Sequence, residues 1–306
     1  MQLILTKPRG FCAGVVRAIE IVERALAIYG TPIYVLHEIV HNPHVVGDLK
    51  RKGALFVETL NEIPLGAVTI FSAHGVSTAI VKDAEKRNLR IIDATCPLVT
   101  KVHYQAQQYS QNGFEVIIIG HPGHPEVEGT RGRIDGPVYV LSRSSEVEDL
   151  QFKNPDRLAY VTQTTLSLDD TREVINALKR RFNNIQGPDL TDICYATQSR
   201  QNAVRQLAKD IDLLLVVGAR NSSNSNRLRE VGEQSGIRSF LIESTEDIDS
   251  LWFSKEIRIG ITAGTSAPEV MVQKVIKKLQ TYGESIIAEM EGETENMHFR
   301  LPDSLY

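Results

Sequence analysis

Short apolar runs of strand length alternate with amphipathic helical stretches along nearly the whole chain, and this alternation restricts the fold more than any other feature. The first helical stretch, residues 15–28, repeats Val15, Ile19, Val22 and Leu26 at helical spacing, with Arg17, Glu20, Glu23 and Arg24 on its other face. The pattern predicts further helices over 44–52, 78–87, 98–111, 168–182 and 197–209, one after residue 226, and one ending at 282. Strands are expected over 32–36, 55–57, 67–71, 89–92, 115–119, 138–141, 158–161, 213–217 and 258–261. This order implies an α/β fold of parallel sheets flanked by helices, in which ligands bind beyond the carboxyl ends of the strands. Residues 284–306 lack periodicity and are expected to form a tail over the surface or the site.

A chain of 306 residues exceeds what one core usually serves, so two or three domains are expected. Its three cysteines, Cys12, Cys96 and Cys194, lie roughly a domain length apart, which suggests one per domain. A net charge of −4 argues against a surface built to hold nucleic acid or anionic lipid. No apolar stretch is long enough to span a membrane and the N-terminus has no signal-peptide pattern, so a cytoplasmic protein is expected.

Each cysteine stands at a turn into a helix. Pro97 suits a first helical position, which places Cys96 at the positive end of a helix dipole and favours its thiolate. Taken singly, a cysteine is more often a small buried hydrophobe than a ligand, but recurrence at such turns strengthens the ligand reading. Paired Cys-x-x-Cys spacing for zinc is absent, whereas thiolates from separate segments suit an iron-sulfur cluster. His41, His74, His124 with Glu126, Thr164, Ser222 to Asn224, and Ser266 also fall just after predicted strands. Alone, the histidines read as ordinary surface groups, and Glu126 as a helix cap. Together they make one composite site plausible. The run from Arg220 to Asn226 offers hydroxyls and amides at a helix start, which suits phosphate. Nucleotide-binding glycine loops are absent, so histidines with neutral donors point to a small diphosphate.

Seven ordered motifs carry a resemblance that covers residues 1–282. They are Gly10-Phe-Cys12-Ala-Gly14-Val, Ser72-Ala-His74-Gly, Asp93-Ala-Thr-Cys96-Pro, Gly120-x-x-x-His124-Pro-Glu126-Val-x-Gly129, Thr162-Gln-Thr164-Thr165-Leu-Ser, Asp192-Ile-Cys194-Tyr-Ala-Thr and Asn221-Ser-Ser-Asn224-Ser-Asn. The chain resembles the 4-hydroxy-3-methylbut-2-enyl diphosphate reductase (LytB) family. The resemblance implies a trefoil of three similar α/β domains with small parallel sheets around a central iron-sulfur cluster. The domains would be 14–96, 97–193, and a discontinuous third of 1–13 with 194–282, leaving 283–306 as the tail. It implies a 4Fe-4S cluster on Cys12, Cys96 and Cys194, with one iron left open. Substrate contacts are implied at His41, His74, His124, Thr165, Ser222, Ser223, Asn224 and Ser266, with Thr164 and Glu126 orienting the hydroxyl and delivering protons. The implied reaction is the two-electron reductive dehydroxylation that yields isopentenyl and dimethylallyl diphosphate. A flavodoxin or ferredoxin is the implied electron donor.

Two other classes compete. A zinc or non-redox cluster hydrolase or lyase would need no reductant and, with zinc, would show no visible absorbance. A redox-sensing binding module would bind without turnover, and it lacks a basic patch for nucleic acid.

Overall fold

The structure, a computed structural model, describes residues 1–188, 193–253 and 256–306. Asp192, in the motif around Cys194, lies outside the described residues. In chain order the elements are β1 (Gln2–Leu5), α1 (Ala13–Tyr29), β2 (Ile33–Leu36), α2 (Pro43–Arg51), β3 (Ala54–Val57), β4 (Val68–Phe71), α3 (Thr78–Lys86), β5 (Arg90–Asp93) and α4 (Pro97–Gln111). They continue with β6 (Glu115–Ile119), α5 (Pro125–Arg131), β7 (Val138–Leu141), β8 (Leu158–Thr162), α6 (Leu168–Arg181), α7 (Tyr195–Leu207) and β9 (Leu213–Val217). The last are α8 (Ser223–Gln234), β10 (Arg238–Ile242), β11 (Arg258–Ala263), α9 (Glu269–Gln280) and β12 (Ile286–Glu289).

The strands form three parallel sheets, so the α/β class predicted by the alternation is observed. Contacts divide the chain into two compact units. The first holds residues 1–13, 41–45 and 195–297, and the second holds 14–40, 46–194 and 298–306. The first unit contains the five-stranded sheet, in the order β10-β9-β11-β1-β12. Every residue of its strand β9, Leu-Leu-Leu-Val-Val, is buried, as a parallel strand covered on both faces must be. Leu3, Leu215, Ile261, Val275 and Leu279 form part of its core. The second unit contains the sheets β3-β2-β4-β5 and β7-β6-β8. Strand β6 is likewise wholly buried, and Ile117 and Ile119 pack with Tyr160 and Leu178.

Two strands depart from expectation. The stretch expected as a tail carries β12, whose backbone pairs with β1 from Gln2↔Ile286 to Leu5↔Glu289. All four β12 residues are exposed, so it is an edge strand held by ladder hydrogen bonds and leaves no hydrophobic alternation to read. Strand β10 also lies at an edge, and its Phe240 stacks on Trp252 at a 3.8 Å centroid separation. The loop after β6 is shorter than expected, because α5 begins at once with Pro125 in its first turn. Among the described residues, no helix is long and apolar enough to cross a membrane.

Candidate active site

In the second unit the ladder continues past the strand ends and draws the polar loops into register. Beyond β5, the Ala94 amide donates to the Phe71 carbonyl at 3.1 Å and the Cys96 amide to that of Ala73 at 3.0 Å. Cys96 is thereby tied to the residue before His74. Cys96 is the N-cap of α4 with Pro97 in the first turn, so the expected place of its sulfur at a helix N-terminus is observed. His74 follows with its Nδ1 3.4 Å from Ser72 Oγ, and its ring meets that of His124 edge-on at 6.0 Å.

His124 caps α5. Its Nδ1 accepts the Glu126 amide at 3.2 Å, so a neutral ring carries its proton on Nε2 and presents a donor there. The same short helix delivers Glu126, which is 3% exposed. The Thr164 amide donates to Glu126 Oε1 at 2.6 Å and the Thr164 hydroxyl to Oε2 at 2.9 Å. Burial pushes the Glu126 carboxyl up to about 7, against the opposing effect of the two Thr164 hydrogen bonds. The group therefore exchanges its proton near neutrality.

Gln163, which lies in the Thr162–Ser167 motif without a role assigned by the sequence, braces this pair. Its Oε1 accepts the His121 amide at 3.0 Å and its Nε2 donates to Thr165 Oγ1 at 3.0 Å. His103, also without a sequence signal, is buried on α4, and desolvation, helped by Arg133, lowers it to about 4 despite Asp93. A cleft of about 680 Å³ is lined by Gly75, Ser77, Gly123, Pro125, Glu128 and Gly129 among others, all chain neighbours of His74, His124 and Glu126. Those three side chains do not themselves line it.

The first unit assembles the other candidate contacts. Ser222 is the N-cap of α8; its Oγ accepts from the Ser225 amide at 3.3 Å, and Ser223 is the first helical residue. Asn224 is 2% exposed; its Oδ1 accepts the Thr265 amide at 2.9 Å, while its buried Nδ2 has no partner among the described residues. An unpaired buried amide donor is costly, so a ligand acceptor is the expected complement. The Ser266 hydroxyl donates to the His41 carbonyl at 2.9 Å, holding that histidine's backbone. A Cβ at Gly218 or Gly264 would lie 2.1 Å from Ser225 Oγ, so both strand ends need glycine to approach the start of α8. The Cys12 amide donates to the Thr265 carbonyl at 3.3 Å, again the residue before a predicted contact.

Cys12 and Cys194 directly precede α1 and α7, as Cys96 precedes α4, and none of the three forms a disulfide. Half-buried thiols at helix N-termini fit the ligands of an iron-sulfur group. Among the described residues, no three His, Cys, Asp or Glu side chains are grouped around a position for a single metal ion.

The family model described as LytB protein matches residues 3–280. A 4-hydroxy-3-methylbut-2-enyl diphosphate reductase of Pseudomonas putida (strain GB-1) is 56% identical over 309 residues, covering 100% of this chain and 98% of its own length. The enzyme of that name from Burkholderia pseudomallei (strain 1026b) is 57% identical over 305 residues, covering 100% and 97%. The solved E-1-hydroxy-2-methyl-but-2-enyl-4-diphosphate reductase of Plasmodium falciparum superposes with a TM-score of 0.94 at 37% identity, over 99% of this chain and 96% of that one. The sequence match spans the β1 to α9 core, and the superposition extends through the strand that follows it, so the chain belongs to the LytB family.

Proposed function

We propose that this protein is a cytoplasmic iron-sulfur oxidoreductase that reduces (E)-4-hydroxy-3-methylbut-2-enyl diphosphate to isopentenyl and dimethylallyl diphosphate. The observation that carries the reading is Glu126, a buried carboxyl bonded through both oxygens to Thr164 and able to exchange a proton near neutrality. Full-length similarity to reductases of that name supports the choice of substrate. Cys12, Cys96 and Cys194 would hold a 4Fe-4S cluster, which when bound supplies electrons and Lewis acidity. Thiols outside any disulfide suit the reducing compartment such a cluster needs.

The chain's own residues would do the rest. Removing a hydroxyl from an allylic alcohol consumes two electrons and two protons and releases water, and hydroxide leaves poorly without a proton. With Glu126 protonated, its Oε–H donates to Thr164 Oγ1, and the Thr164 hydroxyl is then free to donate onward. That geometry supports proton delivery through Thr164. His74 and His124 would donate to the diphosphate, joined by His41, Thr165, Ser222, Ser223, Asn224 and Ser266. The Asn224 amide is already desolvated and aimed without a partner, and the start of α8 adds its amides. A flavodoxin or ferredoxin would deliver electrons one at a time.

The test is anaerobic purification with iron and sulfide analysis, followed by turnover of the hydroxylated diphosphate with a reduced dye. Brown protein with about four irons per chain and reductant-dependent loss of substrate is expected. A colourless protein, or turnover without reductant, would exclude the proposal in favour of a hydrolase or lyase.

A further inference from the structure

Two arginines outside the polar motifs grip the cysteine loops by the same backbone atoms. Arg17 on α1 is half-buried, and its Nη1 donates to the carbonyls of Ala94 at 3.4 Å and Thr95 at 3.0 Å. These are the two residues before Cys96. Arg200 on α7 is fully buried; its Nε and Nη2 donate to the Gly10 carbonyl at 3.1 and 2.8 Å, and Nη2 to that of Phe11 at 3.3 Å. These are the two residues before Cys12. Each arginine sits near the start of a helix that itself follows a cysteine, α1 after Cys12 and α7 after Cys194.

The register is too similar for general packing to explain. Any buried carbonyl needs a donor, but water, a hydroxyl or a neighbouring amide usually supplies it. A planar guanidinium fixes two carbonyls at once, and its charge also favours a nearby thiolate. The two charges are balanced differently. Glu295 takes two forks of Arg200 at 2.8 and 3.0 Å, and the Ser199 hydroxyl donates to the same carboxylate at 2.8 Å. Among the described residues Arg17 makes no direct ion pair; Asp93 and the Cys96 thiol act on it only through space, and its Nε donates to the Arg300 carbonyl at 2.8 Å.

We propose that Arg17 and Arg200 are positioning residues that lock the Cys96 and Cys12 loops in ligand geometry, and that their charges, without a direct ion pair at Arg17 and paired with Glu295 at Arg200, tune the potential of the group those thiolates hold. The proposal rests on the functional reading above. A cation close to a cluster stabilises its reduced, more negative form and so raises its potential, and a carboxylate does the reverse.

The test uses the full-length, cluster-loaded protein, with two readouts other than turnover: the rate of cluster loss to excess EDTA, followed by visible absorbance, and the reduction potential from a dye-mediated titration. Arg200→Lys keeps the charge but loses the fork, and Arg17→Lys keeps the charge but loses the Nε anchor to the Arg300 carbonyl that sets Nη1 on the two loop carbonyls; both should speed cluster loss about 10- to 100-fold, the usual effect of removing a residue that orients metal ligands. Arg17→Gln should lower the potential, whereas Glu295→Gln, which leaves Arg200 unbalanced, should raise it. Leu279→Ala, a core cavity in the first unit, serves as the control and should lower thermal stability while leaving both readouts unchanged. Should Arg200→Lys fail to accumulate, the half-buried Arg17→Lys decides. Wild-type release rates in the lysine variants, potentials that move in one direction, or a control that matches them would overturn the positioning role. A wild-type chain that assembles no cluster would overturn this inference and the functional reading together. A wild-type chain that loads its cluster and reduces substrate while the variants behave like it would overturn this inference alone.

Discussion

Gly75 rests directly on the ring of His103: a Cβ at Gly75 would lie 2.5 Å from His103 Cε1 and 3.1 Å from the Thr95 methyl. The residue also has a φ of +78°, which side chains with a Cβ rarely adopt. The loop that carries His74 is therefore seated on a buried imidazole. Gly75→Ala must push that ring aside, and we expect it to lower stability by about 1–3 kcal/mol, as overpacking does. Because His74 is the adjacent residue, the Michaelis constant for the diphosphate should rise as well. Urea midpoints and steady-state kinetics on the same preparation check both outcomes.

His103 sets a pH dependence of its own. In the folded chain it stays neutral down to about 4, against 6.5 for an ordinary histidine. Between those values the unfolded chain binds the extra proton, so the stability conferred by the neutral ring is complete above pH 6.5 and declines as the pH falls towards 4. The full loss amounts to roughly 3 kcal/mol. Urea denaturation at pH 7 and pH 5 should show a smaller drop for His103→Gln than for the wild type. Identical drops would remove His103 as the cause.

Glu126 acts with the opposite sign. Its folded carboxyl holds a proton up to about 7, against 4.5 in a free chain, so the folded state binds more protons between these values and stability falls as pH rises through them. Glu126→Gln should abolish this loss and leave the variant relatively more stable at pH 8 than at pH 5. Turnover should meanwhile fall about 10²- to 10⁴-fold, the worth of a positioned general acid, with cluster absorbance retained. Near-normal turnover would pass the acid role to His124.

Asn224 separates binding from proton transfer. Asn224→Asp keeps the acceptor for the Thr265 amide but replaces the unpartnered donor with a negative oxygen. With a diphosphate as substrate, repulsion should raise the Michaelis constant far more than it lowers turnover, and more than Asn224→Ala does. Titration calorimetry with inorganic diphosphate supplies the second measurement. Equal affinity for both variants would mean that the amide faces no anion.

Much of this was legible because strong local signals agreed with the fold. Strands such as β6 and β9 are continuous apolar runs, and helices such as α1 and α6 have one apolar face. Strand β12 was not legible, since an exposed edge strand held by its ladder and by one ion pair, Glu289 with Arg9, carries no apolar alternation. The polar loops stood out because α/β folds collect ligands at strand ends. Arg17 and Arg200 did not, because an arginine on an amphipathic helix looks like an ordinary solvated face until the carbonyls it reaches are seen. The Asn224 contact with Thr265 depends on β9 lying beside β11, and sheet order is not written in any short stretch of sequence.

The place of β1 in its sheet governs how this chain leaves the ribosome. Strand β1 is made before every other strand of the three sheets, yet its neighbours are β11 and β12, and the Thr6 hydroxyl bonds to that of Thr262, 256 residues downstream. Until β11 has emerged, Leu3 and Leu5 have no sheet to join, while residues 33–162 carry every strand of the other two sheets. Vectorial synthesis thus leaves an apolar strand waiting while the segments between it and β11 are made, a stage at which a nascent-chain chaperone has the most to protect.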